Sequence, residues 1–386
     1  MMKGGKLLSE GGFGCVFSPG INCNGSIMNS KKYVSKIQRF NKNARNEIKI
    51  GKILQDVKGF ENHFAPILKF CSINVAKVKD NDIKKCTVLK KYSTDDFVVM
   101  KLNYINGMDF IDYIVEHKNS VQIISNLINS YNHLLKSISM MIGKKVFHGD
   151  LKGTNILFDL EKQEPILIDF GLSVSVDDIT ERNLKTIFYI FAPEYYVWPL
   201  EVHYLNYLLH ENKEPTEEDL KKIAKVFTQN NKGLIKNFSP EFLKKYENKC
   251  FIQLKQYEKL PMEQKIKTIT GYWNTFDNYA LSIMYLKFIS YINMNKYEEN
   301  DFIKFLSKLL LINVDPNPEN RLNIVETIHT FNTFLYQKRD NTLMTFEEII
   351  ETFINNKEQI NKQLKKERKL MTHDTKTMKQ KKMTKF

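Results

Sequence analysis

No apolar run in this 386-residue chain approaches the roughly 20 residues needed to cross a bilayer as a helix, so a helical membrane protein is not expected. The opening Met1-Met2-Lys3-Gly4-Gly5-Lys6-Leu7-Leu8 lacks an apolar core followed by a small-residue cleavage site, which argues against a secretory leader. Cysteine is scarce. Cys15, Cys23, Cys71, Cys86 and Cys250 are scattered, form no CxxC pair and are odd in number. That pattern disfavours a zinc site and a disulfide framework, and predicts reduced thiols in an intracellular compartment. No internal repeat is present, which sets aside the repeat architectures.

What the chain does contain is an ordinary globular mixture: 42% hydrophobic and 26% charged residues, with a mean hydropathy of -0.39. Its length is enough for two lobes, each with its own core. The formal charge is +14, and much of the excess lies after Asn361. That stretch holds ten lysines and arginines against two acids. Too few large apolar residues occur there to repay ordering, so residues 339–386 are expected to form a helical, then basic and flexible tail. Such a tail suggests a nucleic-acid or other anionic partner only weakly.

The first hundred residues read as short β-rich pieces around one helix. Val16-Phe17, Lys32 to Ile37 and Phe97 to Met100 have strand character. Ile48, Ile50, Ile53 and Leu54 fit one face of a helix from Asn41 to about Asp56. After Gly107 the pattern turns helical. Ile124, Leu127, Ile128, Tyr131, Leu134, Leu135, Ile138, Met141 and Ile142 keep three- and four-residue spacing, predicting a long helix that stops near Gly143. Two more β-like pieces follow, Asn155 to Phe158 and Ile166 to Ile168.

Chemistry concentrates just after the long helix, in His148-Gly149-Asp150-Leu151-Lys152-Gly153-Thr154-Asn155. Phosphoryl transfer needs a carboxylate to orient and deprotonate a hydroxyl, oxygen ligands for a hard cation, and a cation against the moving phosphate. Asp150, Asn155 and Lys152 supply one of each. Asp169-Phe170-Gly171 follows an apolar strand, putting a second carboxylate where a metal could bridge it to phosphate oxygens. Ala192-Pro193-Glu194 comes about twenty residues later.

These three segments, in this order, resemble the catalytic-loop, DFG and APE motifs of the eukaryotic-type protein kinases, specifically the serine/threonine kinases. The resemblance covers about residues 7 to 335. It implies an α+β, two-lobed fold, with a small β-rich N-lobe (1–104) and a larger helical C-lobe (105–338) enclosing ATP between them. Asp150 would be the base, Lys152 the cation at the γ-phosphate, and Asn155 and Asp169 the ligands of Mg2+ (Mn2+ being a possible substitute). The segment Leu8, Ser9, Gly11, Gly12, Phe13, Gly14 and Val16 resembles the glycine-rich phosphate loop, with Ser9 where the first glycine usually stands. Lys36 resembles the strand lysine that holds the α- and β-phosphates, and Glu47 its helix partner. Leu102 falls at the gatekeeper, Asn103 and Ile105 in the adenine-binding hinge, and Asp109 at the ribose-binding acid. Asp277 resembles the aspartate that anchors the catalytic loop. Arg321 resembles the arginine that pairs with the APE glutamate, which would be Glu194. Lys152 implies Ser or Thr of protein substrates as acceptors.

Two departures stand out. Gly149 replaces the usual arginine before the catalytic aspartate, which disfavours switching by a phosphate on the activation segment. Residues 200–272 form an expected helical insertion, with helix starts at Thr216 and at Ser239-Pro240. Long insertions with a short connection to the Glu47 helix resemble kinases of large DNA viruses, which would place the chain in host-cell cytoplasm or virion. Two rival readings remain. His-Gly-Asp also occurs in small-molecule kinases of the aminoglycoside and choline type, and a pseudokinase scaffold would share the fold without turnover.

Overall fold

The computed structural model describes residues 5–12, 14–75, 83–91, 96–116, 120–211, 213–292 and 301–337. Phe13 and the tail expected from residue 339 lie outside them. The chain begins with β1 (Lys6–Glu10), β2 (Gly14–Ser18), β3 (Tyr33–Arg39), α1 (Lys42–Gln55), β4 (Lys69–Ile73), α2 (Thr87–Lys91), β5 (Phe97–Asn103) and β6 (Gly107–Asp109). Next come α3 (Phe110–Glu116), α4 (Ser120–Gly143), β7 (Val146–Phe147), β8 (Ile156–Asp159), β9 (Glu164–Leu167), β10 (Val174–Ser175) and α5 (Leu184–Ile187). The remainder is helical: α6 (Leu200–His210), α7 (Glu217–Asn230), α8 (Pro240–Glu258), α9 (Met262–Gly271), α10 (Phe276–Ile292), α11 (Asp301–Asn313) and α12 (Ile324–Gln337). The described residues divide into two compact units, an α+β arrangement of a small sheet lobe and a helical lobe.

The first unit runs to Asp109 and also takes in Asn155–Val174. Its five-stranded antiparallel sheet has the order β1-β2-β3-β5-β4. Phe97 to Met100 is apolar throughout because both faces of β5 are covered. Phe97 and Val99 join Cys15, Phe17, Ile37 and Leu89 in one cluster, while Val98 and Met100 pack with Ala44 and Ile48 of α1 in another. The same period of two sets Lys36 opposite Met100 in register, one residue out of phase with the core side chain Ile37. Helix α1 starts where expected. The Asn41 side chain accepts from the backbone N–H groups of Asn43 and Ala44, occupying two of its otherwise unmet donors.

One expectation fails here. Cys15 is disulfide-bonded to Cys86, and Cys23 to Cys71. Local spacing is blind to these bridges because the partners are 71 and 48 positions apart and are brought together by sheet pairing and by α2. Cys250, buried in α8, is the free thiol. The grouping of metal-ligating type among the described residues, Glu10 with Cys15 and Cys86, contains one of these disulfides and so offers no thiolate to a metal.

Of the described residues, the second unit comprises Phe110–Thr154 and those from 175 to 337. Helix α10 has apolar residues all round, and Tyr279, Leu281, Ile283, Tyr285, Leu286 and Ile289 are buried, so it is the central helix of this unit. Helix α4 delivers Tyr131 against Tyr285 and Phe331, with ring centroids 4.6 and 5.0 Å apart. The helices expected after Thr216 and Ser239 are α7 and α8. Thr216 and Asp219 close a capping box on α7, and Ser239 caps α8 with proline at its first position. Among the described residues no helix is long and apolar enough to cross a membrane.

Candidate active site

In the first unit, Lys36 Nζ lies 2.6 Å from Glu47 Oε1 and 3.2 Å from Asp169 Oδ1. The short gap between Lys36 and Glu47 suffices because α1 begins almost directly after β3. Burial alone would push the Lys36 ammonium down, but the carboxylates of Asp169 and Glu47 outweigh it and hold the group above its ordinary value. Lys36 is therefore a fixed cation. Glu47 is nearly fully buried, and Gln38 Nε2 donates to its second oxygen at 3.4 Å.

Asp169 adopts a left-handed backbone (φ 62°), which costs a non-glycine residue on the order of 1–3 kcal/mol. Its neighbours hold it there. Phe170 is buried edge-on against Phe64, and Asn46 of α1 donates to the Ser173 carbonyl at 2.8 Å. The helix that supplies Glu47 thus also fixes the segment that supplies Asp169. A quarter of the Asp169 side chain remains exposed, whereas Glu47 is 3% exposed. Carboxylate and amide oxygens such as those of Asp169 and Asn155 suit a hard divalent cation.

Ser9 lies within β1, Gly11 and Gly12 lie at the turn that follows it, and the Gly11 N–H donates to the Gly14 carbonyl at 2.8 Å. Gly14 is required there: a Cβ would sit 2.3 Å from the Ile37 carbonyl oxygen of β3. Leu8 is exposed on β1 and Val16 half-buried on β2. Leu102 and Asn103 end β5, with Ile105 just beyond, and Asp109 lies in β6 opposite Leu157. Asn155 immediately precedes β8, and its carbonyl accepts from the Ile168 N–H at 3.0 Å.

In the second unit, Asp277 of α10 accepts from the backbone N–H of His148 at 2.6 Å and of Gly149 at 3.2 Å. Burial raises the Asp277 carboxyl above its usual range, and these two donors pull it part-way back. Gly149 has φ 71°, a conformation that glycine adopts without a steric penalty, and its carbonyl accepts from Trp198 Nε1 at 2.7 Å. Lys152 Nζ sits 3.0 and 3.1 Å from the two oxygens of Asp150. The loop therefore presents a carboxylate and an ammonium as one pair, and Asp277 holds the backbone just before them.

Residues 2–331 match the protein kinase domain. The chain belongs to the protein kinase family. Among curated proteins, it is 27% identical over 166 residues to the "Probable inactive serine/threonine-protein kinase samkD" of Dictyostelium discoideum, covering 33% of this chain and 30% of that protein. It is 31% identical over 122 residues to the "Probable serine/threonine-protein kinase fnkB" of the same organism, covering 28% and 22%. The chain thus spans less than a third of the length of these curated relatives.

One expected pair in this kinase is wrong. Arg321 does not hold Glu194, which is exposed; its Nη1 and Nη2 meet Glu201 Oε1 and Oε2 at 2.6 and 2.9 Å. Both side chains are essentially fully buried. Arg321 Nε also donates to the Asp315 carbonyl at 2.8 Å, and the guanidinium carbon lies 5.2 Å from the Tyr279 ring centroid. The spelled motif at 192–194 distracted from a second proline-and-glutamate pair, Pro199-Leu200-Glu201, at the start of α6. Helix position was the available signal, because a carboxylate in a first turn is both favoured and fixed. Sequence reading also missed Tyr195 and Trp198, which meet Asp150 and the Gly149 carbonyl from the segment before α6.

Proposed function

We propose that this kinase is catalytically active and transfers the γ-phosphoryl group of ATP to serine and threonine hydroxyls of protein substrates. The observation that carries the proposal is the double ion pair of Lys36 with Glu47 and Asp169. A silent scaffold has no need to keep a buried lysine charged between two carboxylates. One relative is named as probably inactive; this chain retains Lys36, Asp150, Asn155 and Asp169 together.

In this reading Lys36 and the glycine-rich turn from Ser9 to Val16 position the phosphates, and Leu8, Leu102, Asn103, Ile105 and Asp109 receive the nucleoside. Asp169 and Asn155 would hold Mg2+ or Mn2+, which when bound offsets phosphate charge. Asp150 orients the acceptor hydroxyl and takes its proton as the new O–P bond forms and the bond to the ADP oxygen breaks. Lys152, fixed beside Asp150, balances charge on the moving phosphoryl group.

The test is a single-turnover assay with γ-labelled ATP and magnesium, offering protein serine and threonine, protein tyrosine, and small hydroxyl compounds in parallel. Label on serine or threonine is expected. Label only on small molecules, or none on any acceptor from folded, nucleotide-bound protein, would overturn the proposal.

A further inference from the structure

Tyr195 touches both members of the catalytic pair. Its hydroxyl donates to Asp150 Oδ1, and Lys152 Nζ lies 3.4 Å from the same hydroxyl oxygen. Asp150, Lys152 and Tyr195 are 2, 1 and 7% exposed, so the three polar groups meet away from bulk water, where such bonds are strong and misalignment is costly. Burial, and then the Asp150 charge, raise the phenol well above its ordinary value, so it stays a neutral donor.

The ring is held as firmly as the hydroxyl. Trp198 packs edge-on against it at 5.2 Å, Tyr189 packs edge-on against Trp198 at 5.7 Å, and Trp198 Nε1 donates to the Gly149 carbonyl. Residues 195 and 198 therefore grip the catalytic loop at two points, one on the side chain of the base and one on the backbone directly before it. A tyrosine suits this place because its donor sits at the end of a rigid ring with two rotatable bonds, so little freedom is lost in fixing it.

We propose that Tyr195 is a positioning residue for phosphoryl transfer, its phenol holding Asp150 and Lys152 in the relative placement that the reaction uses. The inference rests on the kinase activity proposed above. A purely structural role would depend on the ring, whereas a positioning role depends on the hydroxyl, and two substitutions separate them. Tyr195→Phe removes only the hydroxyl. It should leave the melting temperature and the KM for ATP close to wild type and lower kcat by about 10- to 100-fold, the range for losing one hydrogen bond to a charged group. Tyr195→Ala, which also removes the ring, should lower both kcat and the melting temperature.

Wild-type turnover in the same assay makes the outcomes distinct. If wild type transfers phosphate and Tyr195→Phe matches it, the inference is overturned and the kinase reading stands. A rise in turnover for Tyr195→Phe also overturns it, because the phenol would then be blocking the base. If folded wild type transfers nothing, the kinase reading falls and takes the inference with it.

Discussion

Glu201→Gln and Glu194→Gln should have very unequal consequences, though both remove one negative charge from the same stretch of chain. Glu201 is fully buried and receives both terminal nitrogens of Arg321 at 2.6 and 2.9 Å. The substitution keeps the side-chain shape but leaves a buried guanidinium without its counter-charge, and turns an amide N–H toward an Arg321 N–H. Removing one partner of a buried pair costs about 3–5 kcal/mol. At roughly 2–4 °C per kcal/mol for a domain of this size, the melting temperature should fall by about 6–20 °C. Glu194 is exposed, so its substitution should cost far less than that of Glu201. Replacing both buried partners, Glu201→Leu with Arg321→Met, should recover most of the loss, because no uncompensated charge remains. Circular-dichroism melts of the four proteins are the assay. A large loss from Glu194→Gln with none from Glu201→Gln would refute the assignment and return Arg321 to the partner expected from the spelled motif.

Three other outcomes follow from the same structure. Asp169→Ala should abolish the magnesium-dependent part of ATP stabilisation in a thermal-shift titration, and an unchanged magnesium effect would contradict its proposed role. Alkylation of the denatured, unreduced protein should add one label, at Cys250, and five after reduction; closing the 71-residue separation between Cys15 and Cys86 should contribute about 4 kcal/mol that dithiothreitol removes. His203, desolvated between Trp198 and Phe227, has its imidazole lowered to about 4 from an ordinary value of about 6.5. The unfolded chain then binds the extra proton first, so stability is full above about pH 6.5 and falls by up to about 3 kcal/mol as pH drops toward 4. Denaturant melts from pH 7 to 4 should lose that slope in His203→Gln, and an identical slope would count against it.

Much of this architecture was legible because local physics and tertiary demand agree. The helix expected from Asn41 is α1, the long apolar stripe ending at Gly143 is α4, and Thr216 and Ser239 open α7 and α8 as their capping chemistry implies. The anchoring aspartate Asp277 was legible through the family resemblance alone, and in the structure its buried carboxylate meets the donors that burial demands. What was not legible depends on distance along the chain. The disulfides join strands and turns far apart in sequence, so spacing carries no trace of them. The Arg321 partner was misread because a matching triplet says nothing of burial, and burial is what selects Glu201. Tyr195 escaped because a tyrosine in a run of aromatic residues looks like core, and only its hydroxyl, placed on Asp150, sets it apart.

Whether Asp150 is the base of a working phosphoryl-transfer site is decided by Asp150→Asn in a single-turnover assay with magnesium, γ-labelled ATP and a serine-containing protein acceptor. Nucleotide affinity should stay within a few-fold of wild type while transfer falls by roughly 10²–10⁴, the usual effect of removing a positioned base. Transfer by Asp150→Asn at the wild-type rate would contradict the account.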